Sequence, residues 1–313
     1  MAKILIGIPV LNNLEITRAC LLSIIENTHI KQLKLEVTIL VIDNGSSCDI
    51  PSMLNNDLPE STFSIYYKRN PHNMGVAVAW NQILRFSPEN IPSQEFHYDF
   101  YVISNNDALV GPDWLQPMVN TMQSNSKIGW VATLENGSPV HENLIEAHTR
   151  SKKYRVDPSK PFTTEEILKS MQSIYSKWNT HNDFCEEIKE SGLPLFMPFK
   201  GAGRSAVCFM IRPAMVRQIG YFDEDFWPIG ISEDLEYFLR VEQLIRPTFL
   251  TEKRYPEKDK WLTGFCCKSI VHHNWCSTHQ GVDFDGRKWD KAREKNWKKK
   301  FKRSKKYFTK LFT

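Results

Sequence analysis

The sequence predicts an α/β fold with a mostly parallel sheet flanked by helices, and three observations lead to this prediction. Apolar runs of strand length alternate with helical patterns over the first 110 residues, and parallel strands need crossover helices of this kind. Polar residues follow three of the apolar runs, and ligands bind at such strand ends in parallel sheets. With 313 residues, the chain can bury a large core.

The elements follow from hydrophobic periodicity. In the first part of the chain the pattern predicts strands at 4–9, 36–43, 62–68 and 100–104, and helices at about 15–26 and 76–86. Further on it predicts a strand at 207–211, helices at 213–219 and 233–244, and a last strand at 269–272. The stretch from 137 to 197 is more polar, with one predicted helix at 164–178. We interpret this stretch as an inserted helical segment that carries partner or acceptor specificity.

The charge of the chain is divided unevenly. Residues 287–313 contain 13 Lys and Arg against Asp290 and Glu294, a charge of +11, so the total of +4 leaves −7 for the remainder. A uniformly basic nucleic-acid-binding protein is therefore excluded, and attraction to polyanions belongs to this tail. Its aromatic residues have helical spacing and are opposed by lysines, which predicts a basic amphipathic C-terminal helix. Such a helix packs on the main domain or lies on an anionic membrane surface.

The composition also indicates the cellular compartment in which the protein is found. The chain has no run of about 18 apolar residues, and Met1 to Lys3 lead directly into the first predicted strand. Seven cysteines occur without the C-x-x-C spacing of thiolate zinc sites. We therefore expect a cytoplasmic protein with reduced thiols, peripheral to the membrane if the tail binds lipid.

Three polar segments are candidates for chemistry. Asp43 to Ser47 and Asn105 to Asp107 follow predicted strands, although turns favour these residue types for backbone reasons alone. Mg or Mn prefers oxygen ligands, and one carboxylate with diphosphate oxygens and water is a sufficient set. Between these segments, Asn73 to Asn81 has small residues at alternate positions, which permits close approach of the backbone to a ligand or a strand.

Six spaced motifs, taken together and in order, resemble the family 2 glycosyltransferases, which are nucleotide-sugar enzymes with a GT-A fold. The resemblance covers most of the chain except residues 137–197. The motifs are Ile8-Pro9-Val10 with Asn12, Asp43-Asn44-Gly45-Ser46, Asn73-x-Gly75-x-Ala77-x-Ala79-x-Asn81, Asn105-Asn106-Asp107 in place of D-x-D, Gly220-Tyr221-Phe222-Asp223-Glu224, and Ser232-Glu233-Asp234-Leu235-Glu236 with Arg240.

The resemblance implies a role for each matching position. Asp107 would be the main protein ligand of a divalent metal, Mn or Mg, while Asn105 departs from the first acid of the usual motif. His272 resembles a position that contacts the metal or diphosphate. Adjacent histidines on a strand face opposite sides, so we expect at most one of His272 and His273 in the site and favour His272.

Asp43 would accept a hydrogen bond from the base. The nucleotide-sugar site would comprise Pro9, Val10, Asn12, Asp43, Asn73, Gly75, Asn81, Asn105 and Asn106.

The resemblance also implies the catalytic pair. Asp234 would be the general base that deprotonates the acceptor hydroxyl, and Glu233 would orient the acceptor in an inverting transfer. The same residues also suit a helix start, with Ser232 as the N-cap and carboxylates favoured by the helix dipole.

The resemblance further gives the domain organisation. We expect a glycosyltransferase domain over 1–286, with a nucleotide-sugar-binding half at 1–110, the insertion at 137–197 and an acceptor-side half at 198–286, followed by the tail at 287–313. A glycan or lipid-linked glycan is the favoured acceptor. Sugar transfer onto a modified DNA base, with the tail binding DNA, is an alternative. A non-catalytic nucleotide-sugar-binding protein is another, whereas a nucleotidyltransferase would need a Gly-rich phosphate loop that the first strand lacks.

Overall fold

The structure is a computed structural model, and it describes most of the chain. The described residues are 1–28, 35–59, 63–88, 96–157, 162–199, 205–226, 233–242 and 260–274, together with Lys295 and Lys298. The expected C-terminal helix lies outside these residues apart from those two lysines. Within the described part, no helix combines the length and the apolar character needed to cross a bilayer.

Strands and helices alternate over the first part of the chain, as predicted. The strands are β1 (Ala2–Val10), β2 (Leu35–Asp43), β3 (Ser64–Arg69), β4 (Phe100–Ser104), β5 (Ala108–Val110), β6 (Ile128–Glu135), β7 (Phe196–Pro198), β8 (Cys208–Ile211) and β9 (Leu262–His273). The α-helices are α1 (Leu14–Asn27), α2 (Ile50–Asn56), α3 (Val76–Leu84), α4 (Leu115–Ser124), α5 (Glu142–Tyr154), α6 (Thr164–Tyr175), α7 (His181–Glu190), α8 (Pro213–Ile219) and α9 (Glu233–Val241).

All the strands of the described residues form one sheet. Its order is β3-β2-β1-β4-β8-β6-β9-β5, and β7 pairs with β9. The four strands from β3 to β4 are parallel, while β8 is antiparallel to both of its neighbours. This confirms the predicted α/β class, with the parallel half built from the first 104 residues.

Helices cover both faces of the parallel half, and β1 shows why. Ile4 and Ile6 are buried on the face that α1 covers, while Leu5 is buried on the opposite face with Ile83 of α3. A Cβ atom at Gly7 would collide with the Ile83 side chain. The helix therefore packs directly on the strand where glycine leaves room.

The segment from 137 to 197 contains three α-helices where the sequence predicted one. The predicted helix corresponds to α6 and the short 3-10 turn that follows it, Ser176–Trp178. The sequence missed α5 and α7, because each buries few apolar residues; those of α7 are Phe184, Cys185 and Ile188. Helix α7 packs on β9, which ties the segment to the sheet.

Strand β6 and helix α4 were also not predicted. The sequence did place β9, but only its last residues, since the strand begins at Leu262 rather than at 269. The predicted helix at 233–244 is observed as α9, and residues beyond 242 lie outside the described part.

A buried ion pair fixes α9 to the rest of the domain. Arg240 Nη2 lies 2.7 Å from Glu236 Oε2, and both side chains are at most 2% exposed. The guanidinium also donates to the carbonyl oxygens of Ile219 and Tyr221, each at 2.9 Å. Burial raises the pKa of Glu236, and the charge of Arg240 opposes that shift. The pair thus joins α9 to the end of α8.

We predict that Arg240→Ala lowers the free energy of unfolding by about 3–5 kcal/mol, because it leaves a buried carboxylate without its partner. Urea denaturation followed by circular dichroism measures this loss. As a control, Lys169→Ala removes the exposed ion pair with Glu165, and surface pairs contribute little. Equal unfolding midpoints for the two variants would contradict the assigned role of Arg240.

Candidate active site

The carboxyl ends of β1, β2 and β3 bring together a buried acid and an exposed arginine. The register aligns Val10 with Asp43, and Asp43 with Arg69. Asp43 is fully buried, and its Oδ2 accepts from Tyr67 Oη at 2.7 Å and from Arg69 Nη1 at 2.6 Å. Its Oδ1 accepts the Ser46 backbone N–H at 2.7 Å. Burial, and then the hydrogen bond to Asp43, raise the pKa of Tyr67. The carboxylate is held rigidly, with the half-exposed Arg69 beside it.

The turn after β1 is tied to the turn after β2. Asn12 and Asn13 have φ values of 56° and 57°, in the left-handed region that asparagine tolerates. The Asn12 N–H donates to Ser46 Oγ, and the Asn12 side-chain oxygen accepts from the Ser47 N–H, both at 2.8 Å. Strand β4 pairs with β1 only as far as Gly7. Pro9 and Val10, at the end of β1, are therefore not paired with β4.

Asn73 and Gly75 shape the start of α3 against the β2 turn. The Asn73 side-chain oxygen accepts from Asn44 Nδ2 and from the Gly75 N–H, each at 3.0 Å. Gly75 has φ 90°, a conformation that favours glycine. Asn81 lies elsewhere: its Nδ2 donates to the Phe222 carbonyl oxygen and its Oδ1 accepts the Phe222 N–H, both at 2.9 Å. Asn81 thus joins α3 to the segment before α9, rather than contacting Asn73.

The turn after β4 contains the predicted metal residue. Asp107 is 1% exposed, and its Oδ1 lies 3.4 Å from His273 Nε2. Asn106 points elsewhere, since its Nδ2 donates to Thr17 Oγ1 of α1 at 2.8 Å. Asn105 is half-buried, and its backbone N–H donates to the Val207 carbonyl oxygen at 2.7 Å. The structure therefore brings Asp107 together with a histidine, and leaves Asn106 in a packing role.

His273 bridges two carboxylates. Its Nδ1 lies 3.1 Å from Glu135 Oε2, opposite the contact of its Nε2 with Asp107. Burial alone would lower the pKa of His273, but the charges and hydrogen bonds of Asp107 and Glu135 outweigh it and raise that pKa to about 10. Asn136 brackets the His273 backbone, accepting its N–H at 2.6 Å and donating to its carbonyl at 3.1 Å. Ser205 Oγ donates to the other oxygen of Glu135 at 2.9 Å.

The side-chain contacts correct the expectation for the histidine pair. We expected His272 rather than His273 to face the site, but His273 makes the contact with Asp107, and consecutive residues of β9 point to opposite faces. His272 is fully buried on the other face, where its Nδ1 lies 2.9 Å from Tyr175 Oη of α6. Sequence reasoning also missed Glu135. Its position in the sequence, as an acid at the end of the apolar run that starts at Ile128, could have identified it as a candidate.

The face of β9 that bears His272 carries a buried cluster shared with the segment at 137–197. The His181 ring of α7 lies 6.3 Å from the His272 ring, centroid to centroid, and His181 Nε2 lies 3.5 Å from Cys185 Sγ. Burial lowers the pKa of His181 to about 3 and that of His272 to about 4. Both imidazoles are therefore neutral at neutral pH, because burial disfavours the charged form and outweighs the opposing effect of Asp107 on His272.

The predicted catalytic pair stands at the start of α9. Glu233 is 4% exposed and Asp234 is half-buried, with Asp234 Oδ1 accepting the Leu235 N–H at 2.7 Å. The helix is packed through Phe238, whose ring lies 4.8 Å from that of Trp130 in β6. The expected N-cap, Ser232, lies outside the described residues. The carboxylates are thus carried on a helix anchored to the sheet.

Among the described residues, protein side chains alone do not form a complete metal site. Among them, no group of three or more His, Cys, Asp or Glu side chains is arranged to hold an ion. Asp107 offers one oxygen donor beside His273, whose raised pKa means that its ring must lose a proton before it can offer a nitrogen donor. This set fits Mn or Mg only if diphosphate oxygens and water complete the coordination.

Comparisons with known proteins agree with the fold. The sequence profile of Glycosyl transferase family 2 matches residues 5–183. The mannosyltransferase PcManGT from Pyrobaculum calidifontis, in complex with GDP-Man and Mn2+, superposes with a TM-score of 0.51 at 12% identity, covering 99% of this chain and 68% of that one. GalNAc-T7 with UDP, GalNAc and Mn2+ gives 0.48 at 16% identity, covering 87% and 44%. No functionally curated protein matches the sequence.

The neutral state of His181 predicts acid sensitivity. Its pKa is about 3 in the folded chain against 6.5 for the free side chain, so its stabilising contribution is complete above pH 6.5 and is lost as the pH falls towards 3. One such group changes the free energy of unfolding by up to about 1.4 kcal/mol per pH unit. We expect His181→Asn to flatten this decline between about pH 6 and pH 4.5, measured by urea unfolding. His72→Asn, in an exposed turn, is the control, and a slope equal to that of the parent chain would contradict the prediction.

Proposed function

The chain belongs to glycosyl transferase family 2, and on this premise we propose that it is an inverting enzyme that moves a sugar from a nucleoside-diphosphate sugar to an acceptor hydroxyl. Family membership establishes sugar transfer in general and agrees with the order of the sequence motifs. One observation carries the finer proposal. Polar residues at the carboxyl ends of β1, β2 and β4 lie where parallel sheets bind nucleotides, with the Asp107–His273 contact beside them.

In this proposal the nucleoside lies against the buried Asp43. Three hydrogen bonds to its oxygens are described, from Tyr67, Arg69 and Ser46, and a carboxylate has about four acceptor positions. One position is therefore left for an N–H of the base. Uracil and guanine both carry such a group. The proposed walls of the pocket are Pro9, Val10, Asn12, Asn73 and Gly75, with Asn81 acting indirectly through its contacts with Phe222.

We assign the metal to Asp107 and to His273 rather than His272; on metal binding, His273 would give up the proton that it carries between the two carboxylates. When bound, a divalent cation offsets the negative charge that develops on the departing diphosphate. Asp107 is buried and presents its Oδ1 towards His273. Glu135 holds the opposite ring nitrogen of His273, as carboxylates commonly do for metal-binding histidines. Asn105, replacing an acid, lowers the negative charge of this set.

The transfer itself is assigned to the start of α9. Asp234 takes the proton of the acceptor hydroxyl while the hydroxyl oxygen attacks the anomeric carbon from the side opposite the diphosphate. The bond from that carbon to the phosphate oxygen breaks, and the electron pair leaves with the nucleoside diphosphate. Attack from the opposite side inverts the anomeric configuration. Glu233, buried beside Asp234, orients the acceptor.

The acceptor in this proposal is a glycan or a lipid-linked glycan. The basic tail, with its charge of +11 from Arg287 onward, would attract an anionic membrane or a polyanionic acceptor. Transfer to a DNA base depends on the same tail, and no contact among the described residues favours it. A binding protein without catalysis would not need an acid at 234, so the catalytic variant below separates the two functions.

We predict that Asp107→Ala abolishes transfer and removes the metal dependence of nucleoside diphosphate binding, because the variant loses the only carboxylate of the proposed metal set. Isothermal titration with UDP and GDP, with and without Mn2+, measures the effect. Asp57→Ala, an exposed carboxylate after α2, is the matched control. Full activity of the parent chain in excess chelator would contradict the assignment.

We predict that Asp234→Asn lowers turnover by about 10² to 10⁴ at nearly unchanged donor affinity, since asparagine cannot accept the proton. Glu233→Gln should act mainly on acceptor affinity. Initial rates with saturating donor measure both, and Glu242→Gln, one residue beyond α9, is the control. Near-normal turnover of Asp234→Asn, or a product that retains the donor's anomeric configuration, would contradict this mechanism.

A further inference from the structure

Asn81, in the second turn of α3, pairs with both backbone groups of Phe222. Its Nδ2 donates to the Phe222 carbonyl oxygen and its Oδ1 accepts the Phe222 N–H, both at 2.9 Å. The same Nδ2 donates to Glu224 Oε1 at 2.7 Å. Asn81 is 1% exposed, and a buried amide that is paired in this way fixes the backbone that it holds. Residues 219–226, which we call the linking segment, are therefore held directly by α3.

Two neighbours of Asn81 in the chain contact the same segment. The buried Trp80 ring lies 4.8 Å from the Phe222 ring, centroid to centroid. One residue beyond α3, the guanidinium carbon of Arg85 lies 4.0 Å from the centroid of the Tyr221 ring, a distance at which a cation is attracted to an aromatic face. The end of α3 therefore packs on the linking segment as well as hydrogen-bonding to it.

Helix α9, which bears the proposed base, is attached to the same linking segment. Arg240 donates to the carbonyl oxygens of Ile219 and Tyr221, each at 2.9 Å. The Tyr237 ring stacks on the Phe222 ring, with the centroids 4.4 Å apart. Phe222 thus lies between the two helices, with its backbone bound by α3 and its ring against α9.

The other end of α3 lies on the nucleotide side of the site. Asn44, in the turn after β2, donates to the Asn73 side-chain oxygen at 3.0 Å and to the carbonyl of Gly75, the N-cap of α3, at 3.2 Å. One helix of nine residues therefore joins the nucleotide turn to the linking segment. Since Asp234 lies in the first turn of α9, the contacts of Asn81 connect the proposed base to the proposed donor pocket.

We propose that Asn81 is a positioning residue of the transfer step, which holds the linking segment so that Asp234 lies within reach of the acceptor hydroxyl. The proposal rests on the proposed function, in which Asp234 is the base, and it places the action of Asn81 on the acceptor side rather than on the nucleotide. Helix α9 also packs on β6 through Phe238, so loss of Asn81 shifts the helix instead of unfolding it. A misplacement of about 1 Å can lower a rate by about 10².

The test compares Asn81→Ala with Asn27→Ala, made both in the parent chain and together with Asp234→Asn. Each removes an amide that donates to a backbone carbonyl of another element, since Asn27 Nδ2 donates to the Val110 carbonyl oxygen at 3.2 Å and joins α1 to β5. Hydrolysis of UDP- and GDP-sugars with Mn2+, with water as the acceptor, gives turnover. Titration calorimetry with UDP and GDP gives nucleotide affinity. Urea unfolding checks the fold; if Asn81→Ala does not fold, Glu224→Ala, on an exposed side chain, weakens the same hold.

We expect Asn81→Ala to lower turnover by about 10- to 100-fold at nearly unchanged nucleotide affinity. Together with Asp234→Asn it should cause little further loss, because a residue that acts through the base has no effect once the base is gone. Equal losses in the two backgrounds, a loss of nucleotide affinity, or a turnover equal to that of Asn27→Ala would overturn the positioning role.

Failure of the proposed function has a different signature. If Asp234→Asn alone keeps near-normal turnover, or if the parent chain hydrolyses no UDP- or GDP-sugar, the proposed base or donor is wrong, whatever Asn81 does. Amide hydrogen exchange of residues 233–241 then tests the hold on α9 without any substrate. Faster exchange in Asn81→Ala than in Asn27→Ala is the expected result, and equal exchange would overturn the hold.

Discussion

The candidate site depends on the contact of His273 with Asp107 and Glu135. These residues come from the turn after β4, the end of β6 and the end of β9, so one imidazole joins three separate parts of the chain. Asn136 holds the backbone of His273 on both sides. A buried carboxylate is stable only with a partner, and here the partner also fixes the end of β9.

Local patterns predicted most of the parallel half of the sheet because β1, β2 and β4 are largely buried on both faces and appear as continuous apolar runs, while the edge strand β3 is partly exposed. Strand β6 carries the same apolar signal and was missed all the same; the stacking of its Trp130 on Phe209, 3.8 Å between ring centroids, could not be read from the sequence because it joins distant strands. The sequence also could not show which of His272 and His273 faces Asp107. Alternation places the two on opposite sides, but only the pairing of β9 with β5 decides which side meets Asp107.

The segment at 137–197 has two physical connections to the site. The neutral cluster of His272, Tyr175 and His181 packs α6 and α7 against one face of β9, and Ser138, ahead of α5, binds both backbone groups of Glu135. The family profile continues through Asp183 and so includes most of this segment, whereas it ends before Glu233 and Asp234. Asp107 and the residues of the proposed nucleotide pocket therefore lie within the matched residues, whereas the proposed metal ligand His273 and the proposed base on α9 lie beyond them.

The central claim is that the chain uses a nucleoside-diphosphate sugar with a divalent metal. Incubating the full chain with a panel of UDP-, GDP- and other nucleotide sugars, with Mn2+ or with excess chelator, and measuring the nucleoside diphosphate released, tests it directly. We expect slow hydrolysis of at least one donor with Mn2+ and none with chelator. Absence of both binding and hydrolysis across the panel, or release that is unchanged by chelator, would contradict the account.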